Sequence, residues 1–142
     1  MKFYASFITL ISIMFQFVIV SPLYPEKEAS KSGADIIFGL LKQKKAAEIV
    51  SMMDSSLKLN LLHENRILTG QEAIKESEAN LKWIMKRFRD VKKISSKEIE
   101  VLGAYFEGDE EMWQSRVMII ILEEKNGKAI IKEIKLEISG VG

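Results

Sequence analysis

The chain contains no cysteine among its 142 residues. That excludes disulfides, thiolate metal sites and a cysteine nucleophile together. Histidine occurs once, at His63, and one imidazole with scattered carboxylates offers neither a metal-ligand spacing nor a paired acid and base. No glycine-rich phosphate loop, G-x-S-x-G elbow or N-x-S/T sequon is present. An excess of one charge is missing as well. Basic residues number 21 and acidic residues 20, interleaved along the chain. Such a surface has no long-range field with which to gather nucleic acid, so that class of partner is excluded. No cofactor and no metal are expected.

The chain does have apolar content, 47% against 29% charged, which are ordinary values for a globular domain. The longest apolar run lies at the start. Residues 1–21 carry one positive charge, Lys2, and then an apolar stretch broken by Tyr4, Ser6, Thr9, Ser12 and Gln16. That pattern is a charged n-region followed by an h-region, and it predicts a signal peptide. An uncleaved anchor is the alternative, because the run approaches the ~20 residues that span a bilayer. Either reading predicts a domain outside the cytosol: secreted in the first case, held at a membrane in the second. Residues 22–33 read as a charged linker and residues 34–140 as one domain.

Ser32-Gly33-Ala34-Asp35 has the spacing of a helix N-terminus, and Ile36, Ile37, Leu40 and Leu41 follow at helical spacing. A second helical stretch carries Ala46, Ala47, Ile49, Val50 and Met53. Leu57, Leu59 and Leu61 then alternate with polar residues as a strand does. His63-Glu64-Asn65 supplies a turn, and Arg66-Ile67-Leu68 a short return strand. Thr69-Gly70-Gln71-Glu72 matches a T-x-x-E capping box and predicts a helix running to about Phe88. On that helix Ile74, Ser77, Leu81, Ile84, Met85 and Phe88 share one face, with Trp83 almost opposite. From Val91 onward the period is two, with a bend expected at Gly103. Residues 117–122 are apolar on both faces, as in a central strand covered on both sides. Asn126-Gly127 predicts a type I′ hairpin.

This order gives an α+β fold: N-terminal helices, a short strand pair, a capped central helix, then three long antiparallel strands in a curved sheet. It resembles the nuclear-transport-factor-two-like (SnoaL-like, cystatin-like) cone-fold superfamily. The resemblance rests on Thr69-Gly70-Gln71-Glu72-Ala73-Ile74 after a leucine-rich strand, and on Gly127-Lys128-Ala129-Ile130-Ile131 leading into the last strand. It implies a sheet wrapped around the capped helix, a conical pocket open at one end, and frequent homodimers through the outer sheet face. It does not imply one activity, since enzymes and binding modules share the scaffold.

Enzymes of this superfamily place Asp, His or Tyr inside the cone. Here Asp35, Asp54, Asp90 and Asp109 all fall at predicted element boundaries, where capping and turns explain them. The expectation is therefore a secreted, non-catalytic domain that binds a small apolar ligand or forms a dimeric interaction module. The alternative is a small lyase or isomerase using His63 or Tyr105 at the pocket mouth. Candidate pocket residues are His63, Tyr105, Trp113 and Arg116. Trp113 and Arg116 fall in opposite registers of one strand, so only one of them can face the pocket without a bulge. An inward Arg116 would anchor a ligand carboxylate; an outward one would lie over a neighbouring glutamate. Trp83 is the candidate interface residue, with burial under the N-terminal helices as its ordinary explanation.

Overall fold

In the computed structural model the described residues are 31–107 and 112–141. The expected signal segment, nearly all of the linker and the turn holding Asp109 lie outside them. The elements are α1 (Gly33–Lys42), α2 (Ala46–Ser51), β1 (Met53–Leu61), β2 (Arg66–Thr69), α3 (Gly70–Lys86), β3 (Phe88–Ser95), β4 (Glu98–Glu107), β5 (Met112–Lys125) and β6 (Lys128–Val141). A 3₁₀ turn, Leu62–Glu64, joins β1 to β2. No helix among the described residues is long and apolar enough to cross a membrane.

The capping chemistry falls at a different helix from the one the T-x-x-E pattern favours. At α1 the Ser32 hydroxyl accepts from the Asp35 amide at 3.2 Å, and the Asp35 carboxylate accepts from the Ser32 amide at 3.1 Å. Lys93 on β3 adds a 2.6 Å hydrogen bond to the same carboxylate. At α3 the Thr69 side chain makes no capping bond. Thr69 is still the last rung of β2, opposite Lys58, and Gly70 turns the chain at φ +70°. The Thr69 backbone stays in strand geometry, so the motif marks a strand-to-helix turn instead of a closed box.

All six strands form one open sheet in the order β2-β1-β6-β5-β4-β3. The stretch from Val91 to Phe106, expected as one strand bent at Gly103, contributes to two, because Ser96 and Lys97 turn the chain between β3 and β4. Four long strands therefore follow α3. β1 runs parallel to β6, with Leu59 beside Ile134, which makes the sheet mixed. Asn126 and Gly127 take φ of 54° and 75°, as the two central positions of a type I′ turn require.

One helix, α3, packs against β1, β2, β4 and β5, and a sheet can reach it from that many strands only by curving around it. Its buried face carries Ala73, Ser77, Asn80, Leu81, Ile84 and Met85, shifted from the expected stripe by the inclusion of Ala73 and Asn80. Leu57, Leu59, Ile99, Val101, Met118, Ile120, Ile134 and Leu136 meet it from the sheet. Gly103 allows the close approach: a Cβ there would lie 2.8 Å from the Ile84 Cα. Outside the curve, Val117, Ile119 and Ile121 are half-buried, so this face of the central strand is only partly covered by its own chain.

Candidate functional site

Where α3 ends, the ends of β4 and β6 and the start of β5 leave an open cleft of about 550 Å³. Trp83 and Arg87 border it from the helix end, Tyr105 from β4, Met112, Trp113 and Gln114 from β5, and Ile138 and Gly140 from β6. The placement follows from strand register. Tyr105 lies opposite Gln114, Arg116 opposite Gly103, and Arg116 also opposite Ile138, so these side chains share the inner face. Trp113 lies opposite Phe106 and Val141, in the outer register, and meets the cleft at its border.

Arg116 points inward, and an outward position over a neighbouring glutamate is ruled out by its contacts. It donates through Nη1 to the Asn80 Oδ1 on α3 at 2.8 Å and through Nη2 to the Gln114 Oε1 at 3.1 Å. Its guanidinium carbon lies 4.2 Å from the centroid of the Trp83 ring. Arg87, one turn after Trp83, brings a second guanidinium to 4.6 Å from the same ring and 5.5 Å from the Tyr105 ring. Each such stack contributes ~0.5–2 kcal/mol, more where water is excluded. Trp83 is thus not a free surface residue. It is the half-buried wall between the core and two arginines.

The electrostatics follow from this crowding. The Arg116 guanidinium is held below its ordinary range, first by burial and second by the like charge of Arg87. Arg87 is fixed at the helix end: its amide donates to the Ile84 carbonyl at 3.1 Å and its carbonyl accepts from the Ala104 amide at 2.9 Å. A helix C-terminus carries partial negative charge, which favours a cation there. Among the described residues, neither guanidinium pairs with a carboxylate; the ion pairs lie elsewhere, at Lys93–Asp35, Lys132–Asp54 and Arg66–Glu64 for example.

His63 stands apart. It sits in the 3₁₀ turn after β1, with Nε2 3.6 Å from Glu64, and it does not border the cleft. Asp35 and Asp54 are engaged in capping and turn contacts with Ser32 and Ser56. Asp90 lies in β3, where its carboxylate accepts from the amide of Val91. Sequence reasoning missed Arg87, Asn80, Gln114 and Ile138. The signals were there in part: Arg87 follows Trp83 by four residues, one helical turn, and Gln114 shares the register of Arg116.

No protein-family model matches the chain, and no curated protein matches it in sequence. Solved structures do. A DUF4783 family protein from Bacteroides uniformis is 10% identical with a TM-score of 0.41, over 72% of this chain and 94% of that one. A steroid delta-isomerase from Pseudomonas aeruginosa is 9% identical with a TM-score of 0.46, over 72% and 73%. A bacterial protein with a cystatin-like fold from Silicibacter pomeroyi is 14% identical with a TM-score of 0.44, over 70% and 67%. The chain has an α+β, cone-like fold, similar to the nuclear-transport-factor-two-like one. Its element order and its open sheet around α3 carry that statement. The activity named for one of these structures belongs to that protein.

Proposed function

We propose that this domain binds a small, largely apolar molecule in the cleft at the end of α3 and does not transform it. The observation that carries the reading is the lining: Trp83, Tyr105, Met112 and Ile138 around about 550 Å³, within the size range of small-molecule sites. Acid–base catalysis needs a group to take a proton and another to give one. His63 does not border the cleft, and the described residues that line it with Tyr105 include neither aspartate nor histidine. That arrangement favours binding over a lyase or isomerase. The apolar run in residues 1–21 supports export of the domain.

The test is titration with a neutral apolar fluorophore, N-phenyl-1-naphthylamine. Saturable binding at one site is expected, with loss in Ile138→Trp, which would put a larger side chain into the lining of the cleft. No saturable binding, or full binding by that variant, would overturn the reading. A second role as a dimeric module is favoured by one observation. Val117, Ile119 and Ile121, with Leu102 opposite Val117, form a half-buried apolar row on the outer face.

A further inference from the structure

Resting on the reading of the cleft as a binding site, we propose that its ligand is an anion. It is a small monocarboxylate with an apolar or aromatic body, its charge held by Arg87 at the border of the cleft, where Arg116 against the same indole adds to the positive field, and its body laid along Trp83, Tyr105 and Ile138.

Two guanidiniums lie against one indole, at 4.2 and 4.6 Å. Like charges brought together and partly removed from water destabilise each other unless a counter-charge is near. None is supplied by the described residues. The hydrogen-bond partners of Arg116 are both neutral amides, Asn80 and Gln114, and its Nε is buried without a partner among the described residues. Arg87 makes no side-chain hydrogen bond among the described residues; its partners are the Trp83 and Tyr105 rings. The amides aim the Arg116 fork without neutralising it. A carboxylate is the planar acceptor that a guanidinium fork matches, and it would offset the mutual repulsion of the two cations.

The choice of a monocarboxylate over a phosphate follows from the rest of the cleft. Its lining joins the polar Arg87 and Gln114 to the apolar surfaces of Trp83, Tyr105, Met112 and Ile138, so the bound molecule must combine a charged head with an apolar body. The helix end facing the cleft is a C-terminus, whose partial negative charge opposes a dianion more than a monoanion. Among the described residues, neither an anion-binding helix N-terminus nor a lysine borders the cleft.

The experiment compares matched eight-carbon probes, octanoate, 1-octanol and octyl phosphate, by displacement of N-phenyl-1-naphthylamine from the full chain. Octanoate should bind at least tenfold more tightly than 1-octanol, and the difference should shrink as salt rises. Arg87→Met should bring octanoate down to the level of 1-octanol. Gln114→Glu, which sets a carboxylate in the lining of the cleft from within the chain, should do the same and keeps the test open if the arginine variant fails to fold. Equal affinity for octanoate and 1-octanol would overturn the anion assignment while leaving the binding reading intact. Octyl phosphate binding tenfold tighter than octanoate would overturn the choice of carboxylate. If no probe displaces the fluorophore and the fluorophore itself does not bind, the binding reading falls first.

Discussion

Asn80 and Arg116, 36 residues apart, are joined by a 2.8 Å hydrogen bond that ties α3 to the central strand β5 beneath the cleft. Asn80 is nearly buried, 5% exposed, and is held in place by a 2.8 Å bond from its Nδ2 to the Glu76 carbonyl. Removing the acceptor leaves a part-buried guanidinium N–H without a partner, which costs about 1–3 kcal/mol. Asn80→Ala should therefore lower the unfolding free energy by that amount, read from denaturant titration. Combined with Arg116→Met it should cost less than the sum of the two single changes, because the orphaned donor is then gone. Strict additivity in this double-mutant cycle would show that the bond carries no coupling.

Gly103→Ala tests how the sheet curves around the helix. The added methyl would meet the Ile84 Cα at 2.8 Å and its carbonyl oxygen at 3.1 Å, and backbone cannot swing aside as a long side chain does. Overpacking of this kind costs about 1–3 kcal/mol. The expected outcome is a clear fall in melting temperature. An unchanged value would mean that α3 is free to lift off β4.

How far the sequence could foretell these features depends on whether the cause was local. The Asn126-Gly127 turn, the Leu57/Leu59/Leu61 alternation and the buried stripe of α3 are local patterns, and the order of residues alone makes them legible. The parallel β1–β6 pairing joins residues more than 70 positions apart, such as Leu59 and Ile134, and no local signal reports it. Thr69 shows the opposite failure: the capping motif is present, but strand pairing with Lys58 and the positive φ of Gly70 override it. At the site, Arg116 was visible as a residue, while its direction depended on a register that only the folded sheet sets. Arg87 reads in sequence as an ordinary basic residue at a helix end. It becomes part of a site because Trp83 lies one turn before it and Arg116 arrives from another strand.

The outer face gives a prediction about assembly. Ile119 lies between Glu100 and Lys135 on neighbouring strands and is half-buried within the chain itself. If a second copy covers this row, Ile119→Glu should convert a dimer into a monomer with an unchanged circular dichroism spectrum, read by sedimentation velocity. A wild-type chain that sediments as a monomer at every concentration tested would remove the dimer reading.

Acid stability provides a last test, centred on Asp35. The hydrogen bond from Lys93, followed by those from the Ser32 hydroxyl and amide, lowers the Asp35 carboxyl from 3.8 to about 2. A carboxyl that titrates lower in the folded chain than in the unfolded one adds stability above its unfolded pKa, and that share is lost as pH falls through the folded value. The window therefore runs from about pH 4 down to about pH 2. Asp54 is also lowered, first by the Ser56 hydroxyl, so some acid sensitivity remains without Asp35. Asp35→Asn should begin from a lower melting temperature at neutral pH, since the charged partner of Lys93 is gone, and should then fall less steeply than the wild type between pH 4 and 2. High salt should narrow the gap at neutral pH, because the pair is exposed and screened. Melting curves that run parallel across the acid window would show that Asp35 titrates no differently in the folded chain, and that the α1 cap is not tied to β3 by charge.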